Sequence, residues 1–274
     1  MSEECGKSDC SGCSESGCAA RRGPLPKDAP NAGSQVKRLI AVISGKGGVG
    51  KSQVTALLAN ALRSEGKRVG ILDADITGPS VARMYGVHGQ AESDGTSVLP
   101  SESSAGLKLM SINLLLENEE DPVVWRGPIL SSTVRQFWTE VAWGELDCLL
   151  LDMPPGTGDV PLTVFQSLPV DGLVVVTSPQ ELVEMVVAKA VHMAQAMELP
   201  ILGIVENMAY FDCPDCGKRH AVFGESRIEE TAAKFGIEHV AKLPILPGNA
   251  SLCDAGRADE LDGAALKEIT DLLL

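Results

Sequence analysis

The sequence predicts an α/β domain with a mostly parallel β-sheet flanked by helices. From Val36 onward, apolar runs of strand length alternate with stretches of helical periodicity, the pattern of successive strand–helix units. Aromatic side chains are only 4% of the 274 residues although 44% are hydrophobic, so Val, Ile, Leu and Ala must build the core. That composition is typical of parallel strands buried on both faces, and the length suits one large domain.

Five apolar runs predict the strands, and they lie at 39–43, 69–72, 148–151, 173–176 and 201–205. A helical pattern follows the first run as far as Leu62, and a second helix is predicted over 181–197. The polar, Gly- and Ser-containing stretch 86–108 predicts a surface excursion. Ligands of such folds bind beyond the carboxyl ends of the strands, so we expect the functional residues there.

The N-terminal residues 1–34 differ from the rest in composition. They contain almost no large apolar side chains, are rich in Ser, Gly, Glu and Cys, and include Pro24, Pro26 and Pro30. Such a segment buries too little surface to fold unless a metal orders it. The sequence therefore predicts a disordered, Cys-rich N-terminal tail at 1–34 and a folded domain at 35–274.

The charge balance narrows the classes of partner. A net charge of −14 repels phosphate backbones and anionic lipid, so neither nucleic acid nor a membrane is expected as a partner. No apolar run approaches the roughly 18 residues of a membrane span, and the N-terminus lacks the features of a secretory signal. We therefore expect a cytoplasmic protein whose eight cysteines are thiols or metal ligands.

A phosphate-binding loop is predicted between the first strand and the first helix. The residues GKGGVGKS at 45–52 match G-x-x-x-x-G-K-[ST] in the strand–loop–helix context that this motif requires. Backbone N–H groups of the loop converge on phosphates, Lys51 reaches the β- and γ-phosphates, and the Ser52 hydroxyl ligates Mg²⁺. The residues expected to bind ATP are Gly45, Lys46, Gly47, Gly48, Val49, Gly50, Lys51 and Ser52. The chain is accordingly predicted to have a P-loop NTPase fold.

Three carboxylates follow predicted strands at the same edge of the sheet. Asp152 and Asp73 are assigned to the Mg²⁺ site together with Ser52, because Mg²⁺ prefers hard oxygen ligands. Asp75 is assigned to orienting the water that attacks the γ-phosphate. For Asp73 a purely structural role, as a helix cap or turn former, is the alternative. The Gly-rich stretch 154–159 is expected either to sense the γ-phosphate or to serve as an ordinary connection.

The pair Cys213 and Cys216 forms a C-x-x-C turn, which supplies two of the four ligands of a tetrahedral metal site. From the residues alone, three completions stay open. His220 and one further ligand would close a zinc knuckle within one chain. The pair could instead act as a redox dithiol. A second copy of the chain could also supply two more thiolates for a bridging [4Fe–4S] cluster.

A second cysteine group lies in the tail, at Cys5, Cys10, Cys13 and Cys18. Four cysteines in so short a span can hold one metal ion or cluster, and reactive thiols in a disordered tail are the alternative. Cys148, on a predicted core strand, and the isolated Cys253 are interpreted as structural.

Six motifs between about residues 39 and 244 together resemble the Mrp/ApbC-type iron–sulfur cluster carrier ATPases of the MinD/ParA superfamily. They are GKGGVGKS at 45–52, DADITGPS at 73–80, WRGP at 125–128, WGELD at 143–147, DMPPGTGD at 152–159 and ENMAYF at 206–211. The last of them leads directly into the C-x-x-C pair. The tail is similar to the ferredoxin-like N-terminal site of some members of that family.

The resemblance implies roles that the residues alone do not give. Lys46 is expected to reach across a two-fold interface to the partner's nucleotide, which links ATP binding to homodimer formation. Asn207 is expected to hydrogen-bond the nucleotide base, and Lys46, Lys51 and Asp75 to carry a slow, Mg²⁺-dependent hydrolysis of ATP. A two-fold dimer favours a [4Fe–4S] cluster bridged by Cys213 and Cys216. The family function is assembly of this cluster, with cluster-assembly proteins as donors, and its transfer to apo iron–sulfur proteins.

Two other functions fit a P-loop ATPase of this kind less well than cluster carriage. A ParA/MinD-like positioning ATPase would need a basic C-terminal helix or a DNA-binding patch, and the acidic chain with its C-terminal residues 266–274 offers neither. An ATP-dependent electron-donating reductase also bridges a cluster across a dimer. Its cluster ligands lie far apart in sequence, which the C-x-x-C spacing disfavours.

Overall fold

The computed structural model describes residues 26–116, 127–156, 158–179 and 183–274. Its strands are β1 Ser34–Val36, β2 Leu39–Ser44, β3 Val69–Asp73, β4 Ser101–Glu102, β5 Lys108–Met110, β6 Gly144–Leu146, β7 Cys148–Asp152, β8 Gly172–Thr177, β9 Ile201–Asp212, β10 Arg219–His220 and β11 Val240–Pro244. Its helices are α1 Lys51–Ser64, α2 Val81–Met84, α3 Gly127–Thr139, α4 Asp159–Ser167, α5 Val183–Ala196, α6 Ile228–Lys234, α7 Pro247–Asp254 and α8 Lys267–Thr270. Short 3-10 turns lie at Ile112–Leu114, Ala258–Glu260 and Ala264–Leu266.

A nine-stranded sheet forms the centre of the domain, in the order β10-β9-β8-β2-β7-β3-β5-β4, with β11 also paired to β9. Every pairing in it is parallel except the two short antiparallel pairings of β10 with β9 and of β4 with β5. A separate parallel pair joins β1 to β6. The carboxyl ends of β2, β7 and β3 therefore lie side by side at one edge of the sheet.

Two apolar layers cover the faces of this sheet. One layer packs α3, α4, α5 and α6 against alternate residues of the central strands, such as Leu39, Ala41 and Ile43. The other packs α1, α2 and α8 against the intervening residues, such as Ile40 and Val42. Because both faces are buried, the strands are continuously apolar, and all five predicted strands are confirmed.

Two segments differ in extent from the expectation. Strand β9 runs seven residues beyond the predicted 201–205, to Asp212, because β10 and β11 pair with its extension. The expected surface excursion at 86–108 is mostly irregular but contributes β4 and the first residue of β5 to the sheet edge. Within the described ranges, no helix combines the length and the apolar character needed to cross a bilayer.

Residues 26–34, which the sequence placed in the tail, instead pack on the domain. Asp28 forms a two-contact ion pair with Arg135 at 2.6 and 3.0 Å, and the Asn31 amide donates to Ser97 Oγ at 3.1 Å. Ser34 begins β1 beside β6. The expectation failed because hydrogen bonds and charge pairs order this segment without an apolar face. Residues 1–25 lie outside the described part of the chain.

The C-terminal segment that follows β11 packs against helix α1. The buried Asn60 of this helix donates to the carbonyl oxygens of Ala258 and Leu261 at 2.7 and 3.0 Å, and it accepts from the Tyr85 hydroxyl at 3.2 Å. Gly263 approaches so closely that a Cβ there would lie 2.1 Å from the Leu57 carbonyl oxygen. Helix and C-terminal segment are therefore joined by polar contacts as well as by apolar packing.

Candidate nucleotide-binding and metal sites

The P-loop lies between the end of β2 and the start of α1, as the motif predicts. Residue Gly50 caps the helix with a left-handed backbone (φ 76°), and as a glycine it makes no side-chain hydrogen bond to the first N–H groups of α1. A Cβ on Gly50 would also lie 2.3 Å from Asn207 Nδ2, so both backbone angle and space require glycine. Free amides at the N-terminus of a 14-residue helix form a site for phosphate.

Asp152 is the centre of a buried polar network behind this loop. Its Oδ1 accepts from Lys51 Nζ at 2.7 Å and from Thr55 Oγ1 at 2.8 Å, and its Oδ2 accepts from Ser52 Oγ at 2.5 Å. The carboxylate is completely buried, at the last position of β7. The structure thus brings together the three residues Lys51, Ser52 and Asp152 on which the sequence prediction rests.

Thr55 was missed by the sequence analysis. It lies one helical turn after Lys51 on the same face of α1, so the i, i+4 spacing could have identified it.

Asp73 lies beside Asp152 in register on the neighbouring strand, but most of its hydrogen bonds go to the loop that follows. Its Oδ2 accepts from the Ser80 and Val81 backbone N–H groups at 3.0 and 3.1 Å and from Ser111 Oγ at 3.2 Å. Burial, and then the charge of Asp152, raise the pKa of Asp73 to about 7. These contacts agree with the alternative structural role, that of shaping the loop.

The donor set at this edge nevertheless suits Mg²⁺. Two buried carboxylates on adjacent strands and the Ser52 hydroxyl are hard oxygen ligands, and the one positive charge of the Lys51 ammonium can balance only one of the two carboxylates. Asp152 and Ser52 are the pair that would hold the ion or its water shell, with Asp73 behind them.

Asp75 and Lys46, the two remaining residues assigned to catalysis, are both partly exposed to solvent. Asp75 is half-buried, and its Oδ1 accepts from Thr77 Oγ1 at 3.1 Å. Lys46 is half-exposed, its carbonyl accepts from Ser44 Oγ at 3.0 Å, and no ion pair to its ammonium is found in the described ranges. Both side chains are therefore placed where a ligand or a second protomer can reach them.

Asn207 joins strand β9 to the phosphate loop. Its Nδ2 donates to the Val49 carbonyl oxygen at 3.0 Å, and its side chain is 97% buried against Gly50. The next residue, Met208, has a left-handed backbone (φ 58°), which is uncommon outside glycine and is concentrated at functional sites. The contact with a nucleotide base remains a prediction, whereas proximity to the P-loop is a feature of the fold.

The stretch after Asp152 also contacts the loop. The Gly156 backbone N–H donates to the Ser44 carbonyl oxygen at 2.7 Å, and Pro155 lies beside Gly47. Residue Thr157 lies outside the described residues, as do Trp125 and Arg126 of the WRGP motif. The arrangement places the start of the 154–159 stretch where a γ-phosphate-dependent contact can form.

Glu206, the first residue of the ENMAYF motif, is a buried carboxylate for which the sequence predicts no role. It is fully buried, and neither oxygen has a hydrogen-bond partner among the described residues. It pairs in register with Thr177, whose hydroxyl is also buried and has no hydrogen-bond partner in the same described ranges. Burial raises the pKa of Glu206, against smaller lowering effects of Ser226 and Lys242. No sequence signal distinguishes this carboxylate from an exposed one.

The C-x-x-C pair forms a tight turn at the end of β9. The Cys213 N–H donates to the Lys218 carbonyl oxygen at 2.9 Å, and the Gly217 N–H donates to the Cys213 carbonyl oxygen at 2.8 Å. Cys213 is half-buried and Cys216 exposed. Backbone N–H groups of Cys216 and Asp215 and the Cys216 thiol lower the pKa of Cys213, which favours the thiolate that binds metal.

The other cysteines have different surroundings. Cys148 is buried in β7, and burial raises its pKa to about 12, so its predicted structural role is supported. Cys253 is half-buried in α7. The tail residues Cys5, Cys10, Cys13 and Cys18 lie outside the described part of the chain.

The fold and the phosphate loop together define a P-loop nucleotide-binding protein with a parallel sheet. A family model for the ParA group, described as NUBPL iron-transfer P-loop NTPase, matches residues 35–272. The chain belongs to this family of iron-transfer P-loop NTPases.

Individual relatives agree with the family match. An iron-sulfur cluster carrier protein of Clostridium perfringens is 44% identical over 262 residues, which cover 93% of this chain and 91% of the relative. A protein of the same name from Methanocaldococcus jannaschii is 47% identical over 214 residues, covering 77% and 74%.

Solved structures extend the comparison to three dimensions. A nucleotide-binding protein from Archaeoglobus fulgidus, solved in complex with ADP and with cobalt found in it, superposes with a TM-score of 0.74 at 47% identity. The match covers 82% of this chain and 88% of that protein. MinD of Aquifex aeolicus, with a TM-score of 0.57 at 19% identity, shares the fold.

Proposed function

We propose that this protein is an ATP-dependent iron–sulfur cluster carrier. In this function a homodimer assembles a [4Fe–4S] cluster on Cys213 and Cys216 of both protomers and passes it to apo iron–sulfur proteins. The main support for this proposal is that one strand, β9, joins the two sites. Its Asn207 contacts the phosphate loop, and the cysteine turn follows directly at its end. Cys213 lies six positions after Asn207, a span of at most about 20 Å along a strand.

The nucleotide part of the proposal follows from the buried network. The P-loop amides and Lys51 hold the phosphates of ATP, and Asp75 orients the attacking water. Bound Mg²⁺ would neutralise charge developing on the phosphates, with Ser52 and Asp152 holding the ion or its waters. Lys51 must then exchange part of its contact with Asp152 for phosphate.

A homodimer is supported by what surrounds the cysteine turn. Each chain offers two thiols there, half of a four-thiolate cluster site. The exposed apolar residues Val222 and Phe223 follow the turn and give a second protomer a surface to cover. Lys46, half-exposed, is the residue proposed to reach the partner's nucleotide.

The proposed donors of the cluster are cluster-assembly proteins, and the proposed compartment of the protein is the reducing cytoplasm.

A positioning function receives no support from this chain's C-terminal residues. Leu266, Ile269 and Leu273 are buried against the core, so their apolar side chains are already used in packing.

The cluster site is tested by anaerobic reconstitution with iron and sulfide. The comparison uses a background in which Cys5, Cys10, Cys13 and Cys18 are all Ser, with and without Cys213→Ala. We expect the background protein to hold about four iron ions per two chains, with the spectrum of a [4Fe–4S] cluster and the mass of a dimer. The Cys213→Ala variant should bind ATP normally and hold no cluster. Full iron content in that variant would overturn the assignment.

The link between nucleotide and dimer is tested with Lys46→Met. In sedimentation with ATP and Mg²⁺, the unaltered protein should become dimeric while Lys46→Met remains monomeric, although both bind ATP. An ATP-dependent dimer of unchanged strength in the variant would remove Lys46 from the interface.

A further inference from the structure

We propose that Cys213, Cys216 and His220 of a single protomer form a mononuclear site for one divalent metal ion of the zinc class. This use of the turn is distinct from the bridged cluster, although it takes the same two thiols. The observation behind it is that the two Sγ atoms and an imidazole nitrogen all lie within 4.8 Å of one another.

The spacing of these atoms is close to that of a metal site. Three points no more than 4.8 Å apart always have a common point within about 2.8 Å of each, while Zn–S and Zn–N bonds measure about 2.3 and 2.0–2.1 Å. The three ligand atoms therefore lie within about 0.5–0.8 Å of bonding distance to one common point. The ligand types, two thiolates and one imidazole, are those that zinc-class ions prefer.

The hairpin fixes His220 in place relative to the cysteines. Strand β10 pairs His220 opposite Phe211 and Arg219 opposite Asp212. Arg219 holds this register with a two-contact ion pair to Asp212, at 2.8 and 3.0 Å, and its guanidinium stacks 3.5 Å above the Tyr210 ring. His220 is thus held beside the turn by contacts that do not use its own side chain.

The turn is open to incoming ions, because both Cys216 and His220 are exposed. In the described ranges no fourth Cys, His, Asp or Glu joins the group. The fourth coordination position is accordingly open to water or to a thiolate from another molecule.

The site implies competition with the bridged cluster. A single ion held by three ligands of one protomer occupies the thiolates that the bridged cluster needs. Because His220 is the third ligand, the ion should bind with higher affinity than it would to the two thiolates alone. The inference does not depend on cluster transfer, and its test separates the two.

The direct test is a titration with Co²⁺ followed by Zn²⁺, in the full chain with the four tail cysteines changed to Ser. We expect one Co²⁺ per monomeric chain, the intense visible absorption of tetrahedral cobalt, thiolate charge-transfer bands, and displacement by Zn²⁺. His220→Asn should weaken Co²⁺ binding by more than the roughly 10–100-fold that loss of an outer-shell partner costs. The matched control is His192→Asn, which removes an exposed histidine on α5 and should leave binding unchanged.

Unchanged affinity and spectrum in His220→Asn would overturn the proposal, and so would one metal ion shared by two chains. Cluster reconstitution of the same variant then distinguishes the two hypotheses. His220→Asn should assemble the bridged cluster normally, and prior loading with Zn²⁺ should block assembly in the unaltered protein far more than in the variant. If no cluster forms on Cys213 and Cys216 but cobalt binding needs His220, the carrier function fails and the metal site stands.

Discussion

The ammonium of Lys51 and the carboxylate of Asp152, 101 residues apart in sequence, form an ion pair of 2.7 Å with both side chains at most 7% exposed. The same protein contains a lysine–aspartate pair of nearly equal length at its surface, Lys37 with Asp147 at 2.8 Å. The two pairs differ chiefly in burial, because Lys37 is 69% exposed.

Lys51→Met should destabilise the nucleotide-free protein by about 3–5 kcal/mol, because it leaves the Asp152 charge buried without its cation. Lys37→Met should cost less than about 1 kcal/mol. Urea unfolding at neutral pH measures both, and equal losses in the two variants would contradict the role given to burial. Only Lys51→Met should also abolish ATP binding, as followed with a fluorescent analogue.

Asp75→Ala should lower the rate of ATP hydrolysis by about 10²–10⁴-fold while leaving ATP affinity within a few-fold. The reason is that Asp75 is assigned to the water rather than to the phosphates. Phosphate release under saturating ATP and Mg²⁺ measures the effect. Asp94→Ala, which removes an exposed aspartate in the surface excursion, is the control and should hydrolyse ATP normally. A parallel loss of ATP binding in Asp75→Ala would place this residue in the binding site instead.

Glu206→Gln should change how stability depends on pH. Burial raises the folded-state pKa of Glu206 above its ordinary 4.5, so its stabilising effect is complete below 4.5 and is lost as pH rises through the raised value. The variant cannot ionise and should therefore melt at a higher temperature than the unaltered protein near pH 7–8, with the difference shrinking towards pH 4.5. Thermal melts of the nucleotide-free protein across this range provide the measurement.

Glu260→Gln serves as the control, because its pKa is shifted in the opposite direction. The hydrogen bond from Arg257 lowers the pKa of the exposed Glu260, so any stability it contributes is lost as pH falls. The variant should show a small change that does not grow above pH 7. A Glu206→Gln protein no more stable than this control at pH 8 would contradict the burial argument.

Gly263→Ala should destabilise the protein by about 1–3 kcal/mol, because the added methyl group meets the backbone of α1 and a backbone must move. Gly248→Ala is the matched control, since it lies exposed in α7 with nothing near its Cβ position. That change should stabilise by about 0.4–1 kcal/mol, because alanine reduces the conformational entropy of the unfolded chain. The melting temperatures of the two variants should therefore change in opposite directions. An unchanged melting temperature for Gly263→Ala would show that the surrounding backbone moves aside at little cost.

The strands and the nucleotide site could be predicted because simple rules govern them. Buried parallel strands are continuously apolar, and their carboxyl ends meet at one edge, which brings Lys51 and Asp152 together across 101 residues. Residues 26–34 could not be predicted to pack, since polar contacts leave no periodic pattern. The burial of Glu206 depends on three neighbouring strands, and the approach of His220 to the cysteines depends on the register of a two-residue strand.

The contacts of Asn60 give the phosphate-binding helix a second attachment. Its amide is tied to the carbonyls of Ala258 and Leu261, more than fifteen residues after β11 begins, while the front of the same helix faces the ligand. The C-terminal segment that makes these contacts, although far from α1 in sequence, therefore opposes any displacement of α1 that a bound nucleotide causes. Residues 258–273 thus stabilise the position of the phosphate-binding loop through α1. Removing them would weaken phosphate binding although every residue of the GKGGVGKS motif is retained.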